Sequence, residues 1–324
     1  MTPAASVIVP TYRRPDTLLR CLAALLAQEM REPFEIVVVD DEPAAATRAA
    51  VDRAAAHAGE HVSGVRYLRN GARHGPAAAR NAGWRAAAGA IIAFTDDDCI
   101  PQARWLSAGI EALRPGADAA SGRVVVPVAD PPTDAERNLA GLERSRFATA
   151  SAFYRRDALE AAGGFDERFA AAWREDSDLY LRLEERGARL ADAPDALVVH
   201  PARPPRWGGS IGEQRKSAYN ALLYRKHPRA YWREIQPAPP WRYYATVVCG
   251  AAAGAGVVTR RGRIALAGGA GWLALTAWFA GRRLRGASHA PAHVADMLVT
   301  SAVIPPLAVY WRLRGALRYR TVFL

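Results

Sequence analysis

Three adjacent aspartates, Asp96, Asp97 and Asp98, lie just after the apolar run GAIIAF, which has the composition of a buried strand. Carboxylates placed side by side repel one another, so the arrangement is costly unless a positive group is bound among them. A divalent cation such as Mg²⁺ or Mn²⁺ fits, because it prefers oxygen ligands and usually takes one or two carboxylates together with substrate phosphates. The Asp-x-Asp pair therefore predicts a metal site, and the alternative is a strand that simply ends in polar residues.

A second group of acids, Glu175, Asp176 and Asp178, lies in the stretch WREDSDL at the predicted start of a helix. One of these carboxylates could be the base that removes a proton from an acceptor hydroxyl. The alternative is structural, because acidic residues in the first turn of a helix stabilise its dipole. His200 ends a predicted strand, where it is either a metal ligand or an ordinary exposed histidine.

The elements that must position these residues alternate regularly in the first third of the chain. Strands are predicted at residues 6–10, 34–41, 64–70 and 90–98, and helices at 17–28, 43–58 and 76–89. This alternation predicts a parallel, doubly wound α/β sheet. Ligands bind beyond the carboxyl ends of the strands in such sheets, so Asp40 and Asp41, which end the second strand, should meet the three aspartates on one rim.

The alternation weakens beyond residue 116. The sequence predicts a strand at 120–128, an exposed loop at 130–137, a helix at 175–187 and a last strand at 196–204. We expect one α/β domain over residues 1–205, with a first half at 1–116 and a second half at 117–205. A mobile loop and linker helix would follow at 206–240, and a hydrophobic, basic segment at 241–324.

Seven short motifs between residues 6 and 200 resemble those of the family 2 glycosyltransferases of the GT-A fold. In chain order they are SVIVPTYRRPDTLLRCLAAL, FEIVVVDDE, GPAAARNAGW, AFTDDDCIP, YRRDALEAAGGFDERF, REDSDLYLRLEERG and VVHP. Two stretches depart from the family pattern, because TYRRP has arginine where many relatives have asparagine and DDEPA replaces the commoner DDGS. The resemblance implies an α/β, Rossmann-like, mostly parallel sheet, followed here by the apolar, arginine-rich C-terminal segment. It also implies that residues 1–205 are a GT-A catalytic domain, with a nucleotide-binding half at 1–116 and an acceptor half at 117–205.

The resemblance also implies roles for individual residues at the strand ends. Donor or nucleotide binding falls to Pro10, Thr11, Tyr12, Asp40, Asp41, Arg80, Asp96 and Asp97. Within this set Asp41 is favoured over Asp40 for contact with the base or ribose, and Arg80 would approach the phosphates. Asp97 is expected only to support its neighbours.

The metal and acceptor sides are implied in the same way. Asp98 and His200 would bind Mg²⁺ or Mn²⁺, Asp176 matches the catalytic base, and Glu175 would help to hold the acceptor. The residues that would border the donor sugar are Gly164, Phe165 and Asp166.

The implied activity is transfer of a sugar, with inversion, from a nucleoside-diphosphate sugar to an acceptor hydroxyl. A UDP-sugar donor and a lipid-linked or cell-envelope glycan acceptor are favoured. A sugar-1-phosphate nucleotidyltransferase is an alternative, but VPTYRRP stands where that enzyme would need a glycine-rich phosphate loop with a lysine. A second alternative is a membrane protein that binds a nucleotide sugar without catalysing transfer.

The positive charge of the chain is concentrated at its C-terminal end. Eleven arginines and one acid, Asp296, give residues 235–324 a net charge of +10 out of +11 for the whole chain. Three apolar runs at 243–258, 264–281 and 297–311 separate the arginines, and the last is broken by two prolines. A spanning helix needs about 20 apolar residues, and only the second run comes close. We therefore favour a peripheral or re-entrant hairpin on anionic lipid at the cytoplasmic face of the membrane, with an integral segment as an alternative. A soluble helical appendage is the alternative, and nucleic acid is a poor partner for these long uncharged runs.

Overall fold

The computed structural model describes residues 2–71, 74–114 and 116–323. Its strands are β1 (Ala5–Thr11), β2 (Phe34–Asp40), β3 (Val62–Arg69), β4 (Ile91–Phe94), β5 (Ile100–Pro101), β6 (Ala119–Val125), β7 (Ala152–Arg155) and β8 (Leu190–Val199). Its helices are α1 (Pro15–Leu26), α2 (Ala45–Ala56), α3 (Pro76–Ala86), α4 (Trp105–Leu113), α5 (Asp134–Leu139), α6 (Arg156–Ala162), α7 (Glu175–Glu185), α8 (Gly209–Glu213), α9 (Ala218–Lys226), α10 (Pro228–Ala230), α11 (Trp241–Val258), α12 (Gly262–Leu284) and α13 (Pro291–Arg318). Short turns of other helix types lie at Ala140–Arg144, Gln214–Ser217 and Tyr231–Ile235.

The strands form one sheet in the order β3-β2-β1-β4-β7-β6-β8-β5. The neighbours β3, β2, β1 and β4 are parallel, which confirms the parallel half predicted from the alternation of strands and helices. β7 runs antiparallel to both β4 and β6, and β8 is parallel to β6, so the other half of the sheet is mixed. Every residue of β2 is buried, as expected for a strand covered on both faces.

The strand order reverses at β1, which has β2 on one side and β4 on the other. A crevice opens beyond the carboxyl ends of the strands at such a reversal, and ligands of open α/β sheets bind there. α3 packs against this part of the sheet through Gly83, where a Cβ would lie only 2.4 Å from Cγ2 of Ile8. The close approach presses the helix that carries Arg80 onto the sheet.

The chain forms two compact units, one from residues 1–127 and 140–202 and the other from 128–139 and 203–324. The first unit contains the whole sheet. The exposed loop predicted at 130–137 was wrong, because Asp134 begins α5 and is buried in the second unit. A buried ion pair holds it there: Nε and Nη2 of Arg283 donate to Asp134 at 3.1 and 2.9 Å.

Two further features of the second unit differ from expectation. Residues 206–240 contain α8, α9 and α10 and the short turns at Gln214–Ser217 and Tyr231–Ile235, where a loop and one linker helix were expected, and their mobility stays a prediction. α13 continues through Pro305 and Pro306, so the expected break in this apolar run was wrong. An interior proline removes a backbone hydrogen bond, and the helix is nevertheless packed at this point, because Ile304 and Pro305 are buried.

Two helices, α12 and α13, are long and apolar enough to cross a membrane, with mean hydropathies of 1.4 and 1.5 over their most apolar stretches. That stretch is 11% buried in α12 and 39% buried in α13. α11 and α12 pack closely through glycine, because a Cβ on Gly268 would lie 2.5 Å from the backbone nitrogen of Ala253. Close packing over small residues is how helices commonly associate in membranes.

Candidate active site

Four potential metal ligands meet beyond the end of β4. Asp96, Asp98, Cys99 and His200 each present one ligand atom, and these atoms all lie within 4.8 Å of one another. His200 reaches this point because β5, which follows the aspartates, pairs with the end of β8. The structure therefore brings together Asp98 and His200, the two residues assigned to the metal, with 3.6 Å between Oδ1 and Nε2.

The chemistry of this metal group suits a hard divalent cation. Carboxylate oxygens are the ligands that Mg²⁺ and Mn²⁺ prefer, and imidazole also serves Mn²⁺ and its neighbours in the series. Nδ1 of His200 is buried and has no hydrogen-bond partner among the described residues. Cys99 was not singled out from the sequence, although it directly follows Asp98. Burial raises the pKa of its thiol well above the ordinary value. Mg²⁺ and Mn²⁺ prefer oxygen ligands to sulfur, so the carboxylates and His200 are the better ligands.

Asp97, the middle aspartate, is held by the end of β1 and the turn that follows. Thr11 donates from Oγ1 to Oδ2 of Asp97 at 2.7 Å, and Nη1 of Arg14 lies 3.3 Å from Oδ1. Arg14 also lies 3.5 Å from Asp98, which reduces repulsion within the group. Burial nevertheless raises the pKa of Asp97 to about 6. The role of Arg14 could not be predicted from the sequence, because only the pairing of β1 with β4 brings this residue to the aspartates.

The acids at the end of β2 have different surroundings. Asp40 is fully buried, and its carboxylate accepts hydrogen bonds from the backbone of Glu42 and Ala44 and from the Tyr67 hydroxyl, at 3.0–3.2 Å. Asp41 accepts from the backbone nitrogen of Gly75 at 2.9 Å and keeps 14% of its side chain exposed. Of the two carboxylates, Asp41 is the more accessible, and its contact with a nucleotide stays a prediction.

Arg80 joins the metal group to the second acidic group. Its Nη2 donates to Asp96 at 2.8 Å and its Nη1 donates to Glu175 at 3.0 Å. The guanidinium is 3% exposed and lies over the ring of Phe165, 5.7 Å from its centroid. Contact of Arg80 with the phosphates stays a prediction, because both terminal nitrogens are engaged with carboxylates.

Three acids begin α7, and they differ in what surrounds them. Glu175 is buried against Arg80, and burial raises its pKa above the ordinary value. Asp178 is fully buried and pairs with Arg182 at 2.9 Å. Asp176 is only half-buried, so among the three it is the carboxylate that a substrate can reach. Arg174 precedes them in a left-handed conformation, with φ of 78°.

The residues assigned to the border of the donor sugar lie beneath Arg80. A Cβ on Gly164 would lie 2.6 Å from Oδ1 of Asn81, so the chain can pass here only as glycine. Phe165 is 3% exposed and packs edge-on against Phe94, with 5.2 Å between the ring centroids. Asp166 pairs with Arg168 at 2.6 Å. Their contact with a donor sugar stays a prediction.

The nucleoside side of the crevice is formed by the end of β1. Pro10 is half-buried near the end of the strand, and Thr11 is engaged with Asp97. Tyr12, the next residue, is 47% exposed. Of the three residues assigned to the nucleoside, Tyr12 therefore offers the largest free surface.

Comparison with known proteins agrees with the geometry. The family model described as Glycosyl transferase family 2 matches residues 6–171, just over half of the 324-residue chain. Glycosyltransferase AglE of Haloferax volcanii is 30% identical over 213 residues, which cover 62% of this chain and 68% of that protein. The pre-mycofactocin glycosyltransferase of Mycobacterium tuberculosis is 29% identical over 61% of this chain, but the match spans only 43% of its length. The succinoglycan biosynthesis protein ExoO of Rhizobium meliloti is 39% identical over 38% of this chain and 32% of its own length.

A solved structure shares the fold. The mannosyltransferase PcManGT from Pyrobaculum calidifontis, solved in complex with GDP-Man and Mn²⁺, superposes with a TM-score of 0.55. The match covers 99% of this chain and 88% of that one, at 23% sequence identity. The chain therefore belongs to glycosyltransferase family 2 and has a GT-A fold with a C-terminal helical region.

Proposed function

We propose that this protein is a metal-dependent, inverting glycosyltransferase that uses a nucleoside-diphosphate sugar. The observation that carries the proposal is the bridge made by Arg80, whose guanidinium binds Asp96 of the metal group and Glu175 beside Asp176. The bridge keeps the carboxylates of the donor side and the acceptor side next to each other. A donor sugar between them would lie within reach of both.

Asp98 and His200, with Asp96 beside them, would hold Mg²⁺ or Mn²⁺. The bound cation would neutralise the charge that develops on the departing diphosphate. The presence of Mn²⁺ in the PcManGT complex supports this choice. We favour a UDP-sugar as the donor, and the GDP-Man in the same complex makes a GDP-sugar the alternative to test.

Asp176 would act as the general base. Its half-buried carboxylate takes the proton of the acceptor hydroxyl, whose oxygen attacks the anomeric carbon on the face opposite the diphosphate. A single displacement of this kind inverts the configuration at that carbon. Arg80 and Glu175 would hold the start of α7, and with it Asp176, in place during the attack.

The acceptor that we propose is a hydroxyl of a lipid-linked or cell-envelope glycan, presented at the cytoplasmic face of a membrane. Large apolar side chains are exposed along α11, α12 and α13, among them Val248, Leu266 and Leu317. Arginines surround these apolar runs and would meet anionic headgroups. The name of the succinoglycan relative ExoO supports a polysaccharide product.

Paired measurements of donor binding and sugar transfer test this proposal. UDP-, GDP- and dTDP-sugars are added with and without Mn²⁺, binding is followed by thermal shift, and transfer is measured as nucleoside diphosphate released with a membrane lipid extract as acceptor. We expect Asp176→Asn to keep Mn²⁺-dependent donor binding and to lose transfer by roughly 100-fold or more, because a positioned general base contributes about that much. Asp98→Ala should lose the Mn²⁺-dependent part of donor binding.

Asp157→Asn is the matched control, because Asp157 is an exposed acid on α6. It should bind the donor and transfer the sugar like the wild type. Wild-type turnover by Asp176→Asn would contradict the assignment of the base. Failure of every donor to stabilise the wild-type protein in the presence of Mn²⁺ would contradict the proposed function itself.

A further inference from the structure

Three side chains form a cluster where β1 and β2 end, and we call Tyr12, Arg13 and Glu42 the rim cluster. The guanidinium of Arg13 lies over the Tyr12 ring, 5.4 Å from its centroid. Nη2 of Arg13 also pairs with Oε1 of Glu42. The pKa of the Glu42 carboxyl is lowered chiefly by Arg13, and the nearby Tyr12 hydroxyl adds to this effect. Arg13 therefore contacts both of the other members of the cluster.

The backbone conformation at Arg13 and Glu42 positions these two side chains for their contacts. Arg13 has φ of 54°, a left-handed conformation that a residue with a side chain adopts at a cost. The backbone nitrogen of Glu42 donates to Oδ1 of the buried Asp40 at 3.2 Å, which fixes the turn that presents Glu42. Arg13 and Glu42 belong to TYRRP and DDEPA, the two stretches in which the sequence departs from the family pattern.

Stability alone does not account for the rim cluster. The side chains of Arg13 and Glu42 are 64% and 43% exposed, and ion pairs this open to solvent contribute little to folding. A strained residue is retained where its surroundings demand it, and such residues concentrate at ligand sites. The cluster also leaves the Tyr12 side chain 47% exposed at the crevice, with the Arg13 guanidinium over its ring.

The position of the cluster indicates which part of a ligand it meets. Thr11, adjacent to Tyr12, is bonded to Asp97 and so ties the end of β1 to the metal group. A nucleotide whose diphosphate lies at the metal group would extend its nucleoside along the ends of β1 and β2. Aromatic rings and guanidinium planes are the surfaces on which bases stack.

We propose that Arg13 and Glu42 determine nucleotide recognition as one unit, in which Glu42 holds the guanidinium of Arg13 flat on Tyr12 and the base of the donor stacks on that surface. This inference rests on the proposed function, because it takes a nucleoside diphosphate as the ligand. Arg13 contacts the base, and Glu42 acts through Arg13 as a positioning residue.

Calorimetric titration of the full chain in detergent tests the inference, with UDP, GDP, CDP and ADP in the presence of Mn²⁺ and with Mn²⁺-pyrophosphate as a ligand that lacks a base. We expect Arg13→Ala to weaken binding of the preferred nucleoside diphosphate roughly tenfold, which is the scale of losing one stacked base contact. Binding of Mn²⁺-pyrophosphate should stay unchanged. Glu42→Ala should give a similar loss, and the double variant should be no weaker than Arg13→Ala, because the two residues act together.

Arg48→Ala is the matched control, because Arg48 also lies over a tyrosine ring, that of Tyr67, and pairs with an exposed acid, Asp52. It should bind every ligand like the wild type. Wild-type affinity of Arg13→Ala for all four nucleotides, additive losses in the double variant, or an equal loss for pyrophosphate would each overturn the inference and leave the proposed function standing. If the wild type bound none of the four nucleotides with Mn²⁺, the inference and the proposed function would both fall.

Discussion

At the scale of single residues, Arg80 has a role that depends on the shape of its side chain. A guanidinium presents several donors in one plane, so two of its nitrogens can bind Asp96 and Glu175 at once. A lysine carries the same charge at a single point and cannot reach both acids in this geometry. Loss of the contact between Arg80 and Glu175 costs free energy, because both side chains are buried and the Glu175 carboxylate would lose this hydrogen bond.

We therefore expect Arg80→Lys to lower the free energy of unfolding by about 1–3 kcal/mol, the usual cost of leaving a buried polar group unsatisfied. Chemical denaturation followed by tryptophan fluorescence measures this change. Arg85→Lys on the same helix is the control, because Arg85 is 54% exposed and its pairing with Glu167 is long, at 3.5 Å. It should change stability by less than about 0.5 kcal/mol. Equal stability of the two variants would show that the bridge does not hold the site.

Some of these residues could be predicted from the sequence, and others could not for a physical reason. Asp98 and His200 could be predicted as partners because both follow apolar strands and the family motifs carry them. The bridge from Arg80 to Glu175 joins residues 95 positions apart, and no local pattern encodes such a contact. Arg14 was missed for the same reason, because its partners lie on another strand end.

At the scale of elements, Glu35 fastens the strands of the parallel half to one another. From β2 it accepts hydrogen bonds from Ser6 on β1 at 2.7 Å and from Arg66 on β3 at 3.1 Å. It also accepts one from the backbone nitrogen of Ala88, which follows α3. Burial raises the pKa of Glu35, but these hydrogen bonds outweigh burial and hold the pKa below its ordinary value.

A carboxylate with a lowered pKa stabilises the folded state above its unfolded pKa of about 4.3, and this stability is lost as the pH falls through the folded pKa. We expect Glu35→Gln to reduce the free energy of unfolding by about 1–3 kcal/mol at pH 7. The difference from the wild type should shrink below about pH 4, where the wild-type carboxylate takes up its proton. Urea denaturation over a pH series measures this. A difference that stays constant down to pH 3 would contradict the assignment of the acid sensitivity to Glu35.

Elements of the first half were easier to predict than those of the second, and the reason lies in their burial. β2 is buried along its whole length, and its apolar run therefore predicted a strand covered on both faces. α5 could not be found from the sequence, because it is six residues long and depends on the ion pair of Asp134 with Arg283. A local sequence pattern predicts that a helix breaks at prolines, so α13 was expected to break. The packing of α13 outweighs the local effect of Pro305 and Pro306, and packing cannot be read from a local pattern.

At the scale of the whole molecule, charge and apolar surface are concentrated in the same part of the chain. The segment 235–324 carries nearly all of the net positive charge and also contains α12 and α13, which could cross a membrane. The two features act on a bilayer in different ways. Apolar helices bind the hydrocarbon and are insensitive to salt, whereas arginines bind anionic headgroups and are screened by salt.

Flotation with lipid vesicles separates these two contributions. We expect the full chain to float with vesicles of neutral or anionic lipid and to stay bound in about 1 M salt, because its apolar helices do not depend on charge. Replacing Arg260, Arg261 and Arg263 with glutamine should weaken binding to anionic vesicles only, by about 1 kcal/mol per arginine. The same three changes at the exposed Arg104, Arg114 and Arg186 of the first unit serve as the control and should leave binding unchanged. Complete release by salt would reduce the membrane contact to headgroup attraction alone, and absence from the floating fraction would favour a soluble helical appendage.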